Sequence, residues 1–142
     1  MSTASITGTR VLVVEANTHL RRLIATILDG QGATACIEAR TPLAAAELCR
    51  HPLDLVILDL AGGQTDAMHF LHHLRQGQFG EPAPPVLGIV PASQGAIRRL
   101  AREAGISGLL DKPLSAMELI AKARTAMAAS GAGATRRLRP AD

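Results

Sequence analysis

Aromatic side chains are almost missing from this 142-residue chain, which has no Trp, no Tyr and only Phe70 and Phe79. The core must therefore be aliphatic, and the stacked rings that grip single-stranded nucleic acid are lacking. Cysteine is equally scarce. Cys36 and Cys49 fall in apolar or helical patterns with no close metal-ligand spacing, so they read as two reduced, partly buried thiols and imply no disulfide framework. No stretch approaches the roughly 18 consecutive apolar residues of a membrane span, and Met1 to Thr9 is Ser/Thr-rich rather than apolar. A cytoplasmic protein is the expectation. Excess charge is small as well. The formal net charge is +3, and much of it traces to Arg136, Arg137 and Arg139, offset nearby only by Asp142. Nucleic-acid binding is accordingly not expected of the folded body, and the Arg-rich end reads as solvated.

What is present is regular alternation. Hydrophobic runs and helical stripes follow one another along the chain, the pattern of an α/β domain whose parallel sheet is covered on both faces. Strands are expected at Val11 to Val14, Ala33 to Glu38, Leu55 to Leu58, Val86 to Val90 and Gly108 to Leu110. Helices are expected between and after them. The first starts at Asn17-Thr18 and buries Leu20, Leu23, Ile24, Ile27 and Leu28, with Arg21, Arg22 and Asp29 off that face. The second opens at Thr41-Pro42 and ends near Arg50. The third buries Ala67, Phe70, Leu71 and Leu74, leaving His69, His72 and His73 on a solvated side. The fourth carries Ile97, Leu100, Ala101 and Ala104 inward and Arg98, Arg99 and Arg102 outward. Ser115 caps the fifth, with Glu118 at the capping-box position and Leu119, Ala123, Ala126 and Met127 facing the core. One domain over residues 10–129 is implied, between a flexible N-terminus (1–9) and a flexible basic tail (130–142).

In open parallel sheets, reacting groups gather at the carboxyl ends of strands. Glu15, Asp59 and Lys112 each stand at such an end. Acids there can hold a hard divalent cation, and a nearby lysine can neutralise phosphoryl oxygens, which is the chemistry of phosphoryl transfer to a carboxylate. A permanent ion pair between Lys112 and either acid is the competing structural role. Gly62-Gly63 is too short and wrongly placed for a nucleotide loop.

Three segments carry a resemblance: Val11-Leu12-Val13-Val14-Glu15, Asp54-Leu55-Val56-Ile57-Leu58-Asp59-Leu60 and Asp111-Lys112-Pro113-Leu114-Ser115. In order and spacing the chain resembles the response-regulator receiver family from about Arg10 to Ala128. The resemblance implies a flavodoxin-like (βα)5 doubly wound fold with strand order 2-1-3-4-5. It implies phosphorelay signalling, with Asp59 accepting a phosphoryl group from a histidine kinase or phosphotransfer protein and Lys112 contacting that group. Glu15, Asp59 and the Ala61 carbonyl would hold Mg²⁺. Signalling would run through a downstream protein, without enzymatic activity and without a membrane, by way of a surface that includes Arg98, Arg99 and Arg102.

The chain also departs from the family pattern. Ala16 stands where the second acid of a pair would ligate the metal, so weaker Mg²⁺ binding is expected. Val90 replaces the hydroxyl residue at the end of strand four, and Leu109 replaces the aromatic switch on strand five. A degenerate receiver that binds partners independently of phosphorylation is therefore the alternative.

Overall fold

A computed structural model describes residues 5–61, 64–91 and 95–130. Gly62-Gly63 and the arginines of the tail lie outside the described residues. Among the described residues ten elements alternate: β1 (Arg10–Val14), α1 (Thr18–Gly30), β2 (Ala35–Ala39), α2 (Pro42–Leu48), β3 (Leu55–Asp59), α3 (Gln64–Arg75), β4 (Val86–Pro91), α4 (Gly95–Glu103), β5 (Gly108–Lys112) and α5 (Ala116–Ala129). The strands form one parallel sheet in the order β2-β1-β3-β4-β5, the expected doubly wound topology.

Because successive side chains of a strand point to opposite faces, each continuous apolar run feeds two cores. Val11, Val13, Leu55, Ile57, Leu87 and Ile89 pack with α1 and α5, against Ile24, Leu28, Leu119 and Ala123. Leu12, Val14, Val56, Leu58, Val86 and Val90 pack on the other side with Ala45, Phe70, Leu71 and Ala101 of α2, α3 and α4. Each fully buried Leu or Ile contributes about 1.5–3 kcal/mol, so the two cores hold the sheet edge in place from both sides. Phe70 and Phe79 meet in the second core, ring centroids 5.1 Å apart.

Helix starts follow their caps. Asn17 Oδ1 accepts from the Leu20 amide at 3.0 Å and Thr41 Oγ1 from the Ala44 amide at 3.1 Å. Ser115 Oγ accepts from the Glu118 amide at 3.3 Å. Only half of the expected capping box forms, because the Glu118 carboxylate turns to Lys122 at 2.9 Å.

Several expectations are corrected. β2 begins two residues later than read and runs through Ala39, whose carbonyl receives the Glu15 amide. α2 stops at Leu48 with Cys49 in extended conformation. β5 continues to Lys112. Leu23 and Leu100, read as core, are 49% and 39% exposed, since each lies at the margin of a stripe whose centre is filled by Ile24 and Ala101. Arg21, read as off the core, is buried. Ile6, within the segment read as a flexible N-terminus, is 3% exposed and packs with Val11 and Leu28. The two cysteines are free and half-buried, and burial pushes the Cys36 thiol up to about 12 and the Cys49 thiol up to about 11.

Candidate functional site

Register brings the acids level. Val14 pairs with Leu58 across β1 and β3, so the next residues, Glu15 and Asp59, emerge side by side where the strands end. On the far side of β4, Lys112 pairs with Pro91 at the end of β5. Its long side chain returns across the end of β4, bringing Nζ to 3.3 Å from Glu15 Oε1 and 3.8 Å from Asp59 Oδ1. One ammonium thus faces two carboxylates.

Each acid is also held locally. Glu15 Oε2 accepts from the Asn17 amide at 3.1 Å, while buried Oε1 has the charge of Lys112 beside it but makes no aligned hydrogen bond. Asp59 Oδ1 accepts from the Ala61 amide at 3.0 Å, which folds the start of the following loop back over the carboxylate. Burial raises the Glu15 pKa, and the adjacent Asp59 carboxylate adds to that, against the lowering effects of the Asn17 amide and Lys112. A carboxylate that would gain from an additional cation stands at the centre of this edge.

A cavity of about 120 Å³ opens beside the pair, lined by Glu15, Ala16, Arg40, Thr41, Asp59 and Asp66 among others. Exposed Ala16 adds no side-chain oxygen to this lining. Arg40 and Asp66 were not singled out from sequence, because a lone charge after a strand or in a first helical turn reads as solvated surface. Arg21 was missed for a different reason: helical periodicity places charged residues outside. Its Nη1 donates to the Glu15 carbonyl at 2.9 Å and its Nε to Glu38 Oε1 at 3.3 Å.

The positions expected to transmit a change are apolar and packed. Val90 is fully buried and offers no hydroxyl. Leu109, half-buried, leans over Gly88 together with Leu60: a Cβ at Gly88 would stand 2.6 Å from Leu60 Cδ1 and 3.1 Å from Leu109 Cδ2. The Leu109 carbonyl accepts from Lys122 Nζ. Of the three arginines of α4, Arg99 and Arg102 are exposed, whereas Arg98 is half-buried and ion-paired with Asp111. The basic face is therefore narrower than read, because β5 supplies an acid opposite one of its charges. His69, His72 and His73 are exposed, and among the described residues no three His, Cys, Asp or Glu side chains form a group able to hold a metal.

Residues 11–124 match the response regulator receiver domain family. The chain is 32% identical over 119 residues to the KDP operon transcriptional regulatory protein KdpE of Escherichia coli, covering 84% of this chain and 51% of that protein. It thus spans about half the length of this curated relative. Among solved structures, the Francisella response regulator 1452 receiver domain superposes with a TM-score of 0.71 at 20% identity, over 87% of this chain and 99% of that one. The chemotaxis response regulator CheY4 of Vibrio cholerae gives 0.69 at 20% identity, over 81% and 95%.

Proposed function

Because the chain belongs to the response-regulator receiver family of two-component signalling, we propose that Asp59 is its phosphoacceptor. On this reading a carboxylate oxygen of Asp59 attacks the phosphorus of a phosphohistidine on a histidine kinase or phosphotransfer protein. The P–N bond breaks, its electron pair returns to the imidazole, and an acyl phosphate forms on Asp59. Lys112 offsets the charge of the transferred group. The observation that carries this reading is the Lys112 ammonium within 3.3 Å of Glu15 and 3.8 Å of Asp59 at the carboxyl edge of the sheet.

The donor set fits Mg²⁺. Glu15, Asp59 and the Ala61 carbonyl are hard oxygen ligands, and Glu15 Oε1 is buried with no hydrogen bond of its own. Bound there, the ion would neutralise phosphoryl and carboxylate charge during transfer. With Ala16 in place of an acid, one carboxylate is missing and the affinity is low. Phosphodonor and Mg²⁺ should add one phosphoryl group to the intact mass of the wild type and none to Asp59→Ala. An equal gain in both proteins would refute the assignment.

The protein works in the cytoplasm by binding other proteins rather than by turning over a substrate. Its partner surface is α4, β5 and α5, where Arg99 and Arg102 are exposed and Arg98 is tied to Asp111. This face suits an acidic partner. A second reading is favoured by Val90, fully buried and without a hydroxyl, and by Leu109 in place of an aromatic switch: partners bind whether or not Asp59 is modified. A pull-down with wild type, Asp59→Ala and a variant carrying Glu at positions 98, 99 and 102 separates the two. Loss only in Asp59→Ala supports phosphorylation-driven binding, and loss only in the arginine variant supports the constitutive module.

A further inference from the structure

Glu15 and Arg21 are the two buried charged residues among those described, and they are bonded to each other through the backbone. A guanidinium is costly to bury unless its donors are used. Arg21 spends one on the Glu15 carbonyl, at 2.9 Å, and another on the Glu38 carboxylate of the edge strand β2, at 3.3 Å. An apolar side chain on the same helical face would serve stability as well, since buried ion pairs replaced by packed hydrophobic groups are often neutral. The acceptor is what distinguishes this contact.

The Glu15 carbonyl sets the plane of the peptide that follows, and hence the direction in which the Glu15 side chain leaves the chain. Its amide is already fixed, donating to the Ala39 carbonyl at 3.0 Å. With the carbonyl held by Arg21, both ends of the residue are clamped. The carboxylate then falls between the Asn17 amide at 3.1 Å and Lys112 Nζ at 3.3 Å. Ala16 supplies no second acid, so this corner depends on the aim of one carboxylate. Asn17, in turn, caps α1, the helix that carries Arg21, so the tether closes a loop within the β1-α1 corner.

We propose that Arg21 is a positioning residue: oriented by Glu38, it holds the Glu15 backbone so that the Glu15 carboxylate faces Lys112 and Asp59. The role rests on reading Glu15, Asp59 and Lys112 as the phosphoryl-accepting edge. Groups that orient a ligand from behind typically change affinity or rate by about 10–100-fold when lost.

The experiment compares wild type with Arg21→Met, Arg21→Lys and Glu15→Gln, reading three quantities: the thermal midpoint, the rate of Asp59 modification by a small phosphodonor with Mg²⁺, and the NMR shift of the Asn17 amide. Glu15→Gln supplies the reference shift for a weakened Asn17 contact. In Arg21→Met, at a temperature where it remains folded, the Asn17 amide should move toward the Glu15→Gln position and the rate should fall about 10–100-fold. Arg21→Lys, which keeps the charge but has a single donor nitrogen in place of the Nε and Nη1 that Arg21 uses, should recover part of both. A lower midpoint in Arg21→Met with the Asn17 amide unmoved would make Arg21 purely structural and overturn the proposal. If Arg21→Met does not fold, Arg21→Gln, which removes the guanidinium and shortens the side chain, decides on the same amide: an unmoved signal overturns the proposal and a move toward the Glu15→Gln position supports it. A wild type that accepts no phosphoryl group would refute the reading of the edge, while the Asn17 amide would still decide whether Arg21 aims Glu15.

Discussion

The carboxyl edge and the β4-β5 layer beside it solve opposite problems. At the edge, Glu15, Asp59 and Lys112 keep charge concentrated, with one ammonium shared by two carboxylates. On β4 and β5, Val90 and Leu109 are apolar, and Leu60 and Leu109 close over Gly88. On the proposed reading, the edge holds the groups that would make an acyl phosphate, while the layer beside it lacks a hydroxyl or an aromatic ring to report it. The two parts are separable in sequence: the edge depends on three charged residues at strand ends, and the layer on side chains that either carry a hydroxyl or do not. A phosphoryl group shifts a conformational equilibrium only through contacts that differ between the two states, and Val90 offers none of the polar kind.

Removing the shared cation tests the edge most severely. Lys112→Met leaves Glu15 and Asp59 facing each other and should cost about 1–3 kcal/mol at pH 7, below the figure for a fully buried pair because Lys112 is one-third exposed. The loss should shrink in acid. The folded-state pKa of Glu15 is already raised, so its contribution to stability is complete below the ordinary value of 4.5 and is lost as pH rises through the raised one. Without Lys112 that pKa climbs further and the window widens upward. Denaturant titrations at pH 4 and pH 7 giving equal losses would show that the contact is not electrostatic.

A smaller effect is expected from restoring the absent acid. Ala16→Asp should tighten Mg²⁺ about tenfold, the order expected of one more carboxylate around a hard cation. Calorimetry giving equal affinities for wild type and variant would mean that Ala16 is not at a ligand position. The smallest change is Val90→Thr, which buries a hydroxyl at a cost of about 1 kcal/mol. If the missing hydroxyl is what silences the layer, partner capture should become sensitive to Asp59→Ala in this background. Capture that stays insensitive would move the break to Leu109.

Apolar periodicity was a good guide wherever the buried group is apolar. Leu119, Ala123, Ala126 and Met127 of α5 all face the core as read, as do Ala67, Phe70, Leu71 and Leu74 of α3. Strand-end positions could also be read, because a β-branched run that stops at an acid leaves that acid at the sheet edge whatever the tertiary detail. Arg21 could not be read this way. A guanidinium is buried when a carbonyl and a carboxylate from elsewhere in the chain converge on it, and neither the Glu15 carbonyl nor Glu38 leaves a mark in the spacing around position 21. Leu23 and Leu100 erred in the opposite sense, since periodicity marks a stripe but not how much of it the neighbouring sheet is wide enough to cover. The pairing of Arg98 with Asp111 belongs to the same class as Arg21: it depends on which strand comes to lie beside α4.

Phe70 and Phe79, which pair in the core, are the whole of the chain's Phe, Tyr and Trp, and that has an optical consequence. With no Trp and no Tyr in the chain, the protein is nearly transparent at 280 nm and emits nothing when excited at the red edge of the ultraviolet. A single indole introduced by Leu109→Trp would therefore glow against a dark background. Sited in β5 above Gly88, it would report, as a change in emission colour or lifetime, whether events at Asp59 are felt in the neighbouring layer.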